Sequence, residues 1–229
     1  MIRLFCGFDQ REAIGYHVFV ASVIARATAP VAFVPLNSRG LPQGSNEFTF
    51  SRFLVPWLCG FEGHAIFVDA ADMVALGDVA ELDALFDPAF AVQVVKHPDY
   101  KTRHPIKYMG TVMQCPNRDY ARKNWASVML FNCAHPYWRT LDPQTLNSCA
   151  GLSLLQFGGL RLNDDPKRGL SREVGELPNE WNRIVDEGHP VEGAKLLHWT
   201  AGIPGMSAYT GSPGAAHWFE AKALMSEAP

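Results

Sequence analysis

No apolar run in these 229 residues approaches the roughly 20 needed to span a bilayer. The opening MIRLFCGFDQ turns polar too soon for a signal peptide, so a cytoplasmic protein without a transmembrane segment is expected. An excess of one charge is also missing: 20 basic against 23 acidic residues give −3, which argues against nucleic acid as a partner. Cysteine is sparse and odd in number, at Cys6, Cys59, Cys115, Cys133 and Cys149, with no CxxC pair. That pattern suits reduced thiols and gives no zinc site. Neither GxGxxG nor GxxxxGK[ST] occurs, which removes the dinucleotide fingerprint and the phosphate loop. Internal repeats, low-complexity tracts and clear linkers are absent as well, so one domain over 1–229 is expected.

What remains is an alternation of short apolar runs and helical or loop segments. The 48% hydrophobic and 19% charged content suits a globular chain with a substantial core. Ile2 to Phe8 reads as a strand, and Ile14, Val18, Ala21 and Ile24 then recur at helical steps. Val31 to Leu36 is a second strand. In SNEFTFSRFLVPWL, Phe50, Phe53, Leu54 and Trp57 share a helical face and Arg52 falls off it. Strands are expected again at 65–69, 90–95 and 126–131, with a short helix over 79–86. Two short helices fit 134–150, GGLRLNDDPKRG is rich in turn residues, and a terminal helix fits 215–225. This succession predicts an α/β fold with a mixed, mostly parallel sheet flanked by helices.

The stretch HAIFVDAADMVALGD draws the chemistry together. A buried strand that stops at Asp69 and Asp72 places carboxylates where open α/β sheets bind ligands. Acids this close repel, so a divalent metal carrying a phosphorylated ligand is the first candidate to lie between them. The plain alternative is that Asp69 ends the strand and Asp72 caps a turn. By the same carboxyl-end rule, Lys96 after the fourth strand and Asn132 after the fifth join the candidate substrate contacts. The stretch from Lys101 to Lys123 is long and basic, and charge-matched to a diphosphate it is expected to act as a mobile lid over the donor.

Four blocks together resemble the nucleotide-sugar glycosyltransferases of the GT-A fold, and within them glycosyltransferase family 8, most closely a bacterial branch. CGFDQREA looks like the family's first strand and base-binding turn, FSRFLVP like its YxRLxLP arginine block, FVDAADM with its later GD like its DxD motif, and LLHWTAGIPG like its late histidine block. The resemblance implies a metal-dependent, retaining transfer from a nucleotide-sugar, a UDP-sugar in the first instance, to a glycan or lipid-linked acceptor. It implies a Mn²⁺ or Mg²⁺ cofactor held by Asp69, Asp72 and His198, with Arg52, Asp69 and Asp72 as catalytic residues. Phe8, Asp9 and Arg11 take the base-binding turn, Asp9 toward base or ribose, and Gly202 falls in the late block. ELPNEWN resembles the family's LP-x-x-W-N, so Asn179 and Asn182 become candidates for sugar hydroxyls, with Trp181 either packing or stacking on sugar. Family members often build bacterial surface polysaccharide, so peripheral membrane contact is a further expectation.

The chain departs from the family pattern in places. D-A-A-D is one residue longer than DxD, so either one residue bulges or the first acid is not a direct ligand. TAGIPG lacks the Lys that holds the leaving phosphate, which leaves that role to the basic loop or to nothing. The Asn-Ala-Gly-Val turn appears as Trp125-Ala126-Ser127-Val128 with Asn124 shifted by one, and an Asp-Gln-Asp block is not visible around Asn147 to Leu155. A nucleotide-sugar binding module without turnover, and a phosphohydrolase of the haloacid dehalogenase type, are the competing readings. The second needs its DxDx[TV] nearer the start, and Asp72 is followed by Met73 and Val74.

Overall fold

The computed structural model describes residues 1–37, 41, 44–148, 151–159 and 173–225. Strands in chain order are β1 (Ile2–Gly7), β2 (Val31–Leu36), β3 (His64–Val68), β4 (Met73–Ala75), β5 (Val92–Val95), β6 (Ile106–Lys107), β7 (Cys115–Pro116), β8 (Val128–Asn132), β9 (Val174–Leu177), β10 (Arg183–Ile184) and β11 (Leu196–His198). The α-helices are α1 (Ala13–Ile24), α2 (Val55–Leu58), α3 (Val79–Asp83), α4 (Pro143–Ser148), α5 (Gly151–Leu155) and α6 (Ala215–Ala223). Six strands make the main sheet in the order β2-β1-β3-β8-β5-β9. The β1–β2, β1–β3 and β5–β9 pairs are parallel, while β8 runs against both β3 and β5.

Both faces of this sheet are covered, which is why its strands read as continuous apolar runs. Side chains alternate along each strand. Phe67 of β3 and Met129 and Phe131 of β8 join Phe53 and Trp138 in one core. Ile66 and Val68, with Val128 and Leu130, face Phe19 and Val23 of α1 in the other. A third cluster, with Val18, Val74, Leu197, Trp199 and Trp218, joins α1 and α6 to a small second sheet. Of that sheet only β11 falls in a run that reads as strand-like in sequence, KLLHW at 195–199; β4, β10 and their pairing were not expected, and neither was β9. Strands of two to four residues carry too little periodicity to stand out.

Two sequence expectations need correcting here. The buried face of α1 is Gly15, Val18, Phe19, Ser22 and Val23, whereas Ile14 and Ile24 are 41% and 62% exposed. The period was legible but its phase was not, because small and polar residues make the closest contacts. The segment around Arg52 is a 3₁₀ turn over Ser51–Leu54 that passes into α2, so the face drawn at 3.6 residues per turn does not hold. Trp57 is exposed and Arg52 is buried. The turn-rich GGLRLNDDPKRG lies outside the described residues from 160 onward.

Candidate active site

At the end of β3 the chain makes a tight turn. Ala70 takes a left-handed conformation with φ +58°, which costs a non-glycine residue about 1–2 kcal/mol. The Ala71 amide donates to the Asp69 carbonyl at 2.6 Å, and the Met73 amide to Ala70 at 3.0 Å. This bulge takes up the extra residue of D-A-A-D, so both carboxylates reach the same site. Helix α1 supports the turn from behind. At Gly15 a side-chain carbon would lie 1.8 Å from the Ala71 carbonyl oxygen, so only glycine lets the two approach.

The second sheet brings His198 to this turn. β11 pairs antiparallel with β4, setting His198 opposite Met73, and the Trp199 amide donates to the Asp72 carbonyl at 3.0 Å. One ligand atom each from Asp69, Asp72 and His198 then lies within 4.8 Å of the others, and all three residues are buried. Among the described residues, Asp72 Oδ1 meets no hydrogen-bond donor. Asp69 Oδ1 lies 2.7 Å from Arg52 Nη1 as an ion pair. The same nitrogen donates to the Ala126 carbonyl at 2.6 Å and Nε donates to Thr49, so the Arg52 head is fixed. Buried carboxylate oxygens with spare capacity beside an imidazole form the ligand set that a divalent metal such as Mn²⁺ takes.

The charges agree with that reading. Burial raises the Asp69 carboxyl above its ordinary range, against the pull of Arg52. Burial alone would raise Asp72 too, but His198 outweighs it and holds Asp72 below the ordinary value. Conversely, burial would lower His198, and Asp72, with its Oδ2 3.4 Å from Nε2, reverses that and holds the imidazole above its usual value. Without a cation the site is therefore held together by an internal ion pair that a metal would displace.

A cavity of about 350 Å³ opens in front of Asp69 and Arg52. Lys107, Arg118 and Lys123 of the basic stretch also line it, with Asn124 and Ser127. The β6–β7 hairpin presents Lys107. Lys123 is buried, with Nζ donating to Asn117 at 2.6 Å. Burial, and then the charge of Lys107, hold the Lys123 ammonium below its ordinary value. The stretch is tied to the second sheet rather than loose against it. Glu187 accepts from the Tyr100 hydroxyl at 2.9 Å and the Arg103 amide at 2.6 Å, and the Tyr108 amide donates to the Ala201 carbonyl.

Other expected contacts lie elsewhere. Asn132 ends an antiparallel strand, so it pairs with His64 at the start of β3, opposite the site, and donates to Pro88. Residues 124–127 at the start of β8 take the place beside Asp69, whose amide donates to Ser127. Lys96 pairs with Glu176 at 3.5 Å and lies over the Trp125 ring, and neither partner lines the cavity. Asn179 is exposed on a 3₁₀ turn. Asn182 is fully buried, so it is not placed to meet a sugar hydroxyl; its Oδ1 lies 2.9 Å from His198 Nδ1. Trp181 is core. The face of Gly202 that a side chain would occupy is filled by Tyr209. Asp9 accepts from the Nε and Nη2 of Arg11 and from the Glu47 amide, and Phe8 packs edge-on against Tyr16. Sequence reasoning missed Glu12 and His97, two buried residues that feel the charges of Asp72 and His198 respectively; only His97 had a signal, a polar side chain beside a strand end.

Across 225 aligned residues, which cover 90% of this chain and 80% of the other, the chain is 36% identical to Protein CDI of Arabidopsis thaliana. The chain belongs to the Protein CDI family. That relative is from a plant, not from the bacterial branch that the motifs resemble. No family model matches the chain. Among solved structures, the galactosyltransferase LgtC, determined with donor and acceptor sugar analogs, matches with a TM-score of 0.61 at 15% identity, over 100% of this chain and 98% of that one. The glycosyltransferase GlyE of Streptococcus pneumoniae TIGR4 matches with a TM-score of 0.62 at 14% identity, over 99% and 63%. The bifunctional glycosyltransferase WbbM matches with a TM-score of 0.58 at 14% identity, over 96% and 51%, so the chain spans about half of that protein. This Protein CDI relative thus has the GT-A glycosyltransferase fold, a mixed sheet flanked by helices. Its fold gives no support to the phosphohydrolase reading, in which Asp69 would be a nucleophile instead of an ion-pair partner of Arg52. No helix among the described residues is long and apolar enough to cross a membrane.

Proposed function

We propose that this chain is a metal-dependent, retaining glycosyltransferase resembling family 8, which moves a sugar from a UDP-sugar to a glycan or lipid-linked acceptor. The observation that carries it is the buried Asp69–Asp72–His198 cluster past the end of β3, whose Asp69 lines a cavity with a basic rim. Retention and the uridine nucleotide rest on the motif resemblance. Galactosyl transfer by the structural neighbour LgtC points to a hexosyl donor.

Asp69, Asp72 and His198 would hold Mn²⁺ or Mg²⁺, which supplies positive charge to the diphosphate as it departs. Lys107 and Lys123 do the part of the lysine that TAGIPG lacks. Burial and the charge of Lys107 lower the affinity of the Lys123 ammonium for a proton, and an anion between the two side chains offsets that cost. Arg52, fixed by Thr49 and Ala126, orients Asp69 and offers its guanidinium to the donor side of the cavity. Segment 98–124 covers the donor and keeps water from it. Just past the end of β1, on the same edge of the sheet as the acids, Asp9 and Arg11 meet the nucleoside only if their mutual pair opens, since Asp9 has both oxygens engaged.

Calorimetric titration with UDP and Mn²⁺, set beside release of UDP from a panel of UDP-sugars, tests the proposal. UDP binding that needs Mn²⁺, and turnover abolished by EDTA, are expected, with the product anomer matching the donor by NMR. Asp72→Ala and His198→Ala should each weaken Mn²⁺ binding at least about 10-fold. Binding without turnover would leave a nucleotide-sugar binding module. Unchanged Mn²⁺ affinity in both variants would put the metal elsewhere.

A further inference from the structure

A side-chain amide has a donor end and an acceptor end, and its neighbours decide which way it faces. Asn182 has three neighbours. Its Nδ2 lies 3.2 Å from the Asn124 carbonyl oxygen and 3.1 Å from His97 Nε2, and its Oδ1 lies 2.9 Å from His198 Nδ1. The Asn124 carbonyl can only accept, so a reversed amide would set two oxygens against each other. The orientation is therefore fixed by the backbone at Asn124, which takes φ +65° and turns that carbonyl inward. It follows that His198 Nδ1 carries a hydrogen and donates it to Asn182. The second Nδ2 hydrogen goes to His97 Nε2, which must present a lone pair. Burial keeps His97 neutral, well below the usual histidine value. Asn182, His198 and His97 are 0%, 1% and 7% exposed, so water has little access to substitute for any partner.

We propose that Asn182 and His97 are positioning residues that lock His198 in the Nδ1–H tautomer, leaving Nε2 as the atom turned to Asp72. Nε2 lies 3.4 Å from Asp72 Oδ2, on the side where the metal cluster forms. An unheld imidazole in water favours the opposite tautomer, with its hydrogen on Nε2. Such a ring would point a hydrogen at Asp72 and at the place a cation takes; the 2.9 Å bond from Nδ1 to Asn182 is shorter than the 3.4 Å approach of Nε2 to Asp72 and is the one that sets the neutral ring. The ring nitrogen that binds metal is set by the bond the other one makes. Asn182 makes that bond, and His97 and Asn124 keep Asn182 from turning over. The use of the lock rests on the metal-dependent reading above; the lock itself does not.

Long-range proton–nitrogen correlation spectra of ¹⁵N-histidine-labelled protein test this directly, with chelator present and the pH raised until the His198 signals stop moving. The expected spectrum is that of the Nδ1–H tautomer. In Asn182→Leu the spectrum should shift toward Nε2–H, and Mn²⁺ affinity with UDP present should fall about 10- to 100-fold. His97→Phe should do the same in smaller measure, and His97→Gln, whose carbonyl still accepts, should restore much of it. A wild-type His198 that carries its hydrogen on Nε2 overturns the proposal, and this needs no variant to fold. So does an unchanged tautomer in a folded Asn182→Leu, even with Mn²⁺ binding lost, since the role is then merely structural. The Nδ1–H tautomer in a protein that binds no Mn²⁺ would support the lock and overturn the metal-dependent function alone.

Discussion

Glu12 sits one residue ahead of α1, where an acid ordinarily caps the helix, yet its side chain makes no cap bond. It is 1% exposed, and among the described residues neither carboxyl oxygen meets a donor. Burial, and then the charge of Asp72, push its pKa up to about 8 from an ordinary 4.5. Between those values the folded chain holds a proton that the unfolded chain has lost, so stability falls as pH rises through the window and levels off above it. Replacing Glu12 with Gln removes the ionisation but keeps the shape. The variant should match the wild type near pH 4 and exceed it at pH 8.5, on the order of a few kcal/mol. Urea unfolding at a series of pH values, in the absence of metal, measures this, and parallel profiles for the two proteins would refute it. In CGFDQREA, Asp9 was legible because it stands at a strand end. Glu12 was not, since burial of an acid is settled by residues far away in sequence.

At the scale of elements, α1 shows how a helix can be found while its working face is misread. Ile14 and Ile24 gave the apolar period, but the close contacts come from Gly15 against Ala71 and from Ser22, whose hydroxyl accepts from the Ala75 amide at 2.9 Å. Both residues look like interruptions of an apolar stripe. They hold the D-A-A-D turn and β4, and through them Asp72 and the partner strand of His198. Gly15→Ala must therefore drive α1 and the turn apart, because the atom its new carbon meets is backbone. We expect a loss of about 3 kcal/mol, together with weaker Mn²⁺ binding in the presence of UDP. Gly211→Ala, where a side-chain carbon would meet nothing within 4 Å, is the control and should change stability by under about 0.5 kcal/mol. Thermal melts and Mn²⁺ titrations of the two variants separate the cases. Equal behaviour would mean that the Gly15 contact relaxes without cost.

Over the whole molecule, five of the six strands of the main sheet, all but β9, were readable because they run as short apolar stretches, and the acids were readable because the β3 run ends on them. Direction was not readable: an antiparallel β8 has the same composition as a parallel one, and so Asn132 was assigned to the wrong end. The same limit hid the second sheet, whose pairing carries His198 to Asp72 and Glu187 to the basic segment. Glu187 is 6% exposed and accepts from the Tyr100 and Thr102 hydroxyls and the Arg103 amide, so it anchors the entry of that segment. Its exit is held where the buried Lys123 donates to Asn117. Between these points Lys107 and Arg118 border the cavity. Removing the anchor leaves three donors short of an acceptor, so Glu187→Ala should cost on the order of 3 kcal/mol. If the segment is a lid, the loss should be uneven. Hydrogen exchange should quicken across 98–124 far more than across β1 and β3, and UDP with Mn²⁺ should slow it again by binding the closed form. Uniform quickening would make Glu187 a general prop of the fold. Quickening confined to 98–124 that UDP and Mn²⁺ leave untouched would show an anchored segment that takes no part in holding the donor.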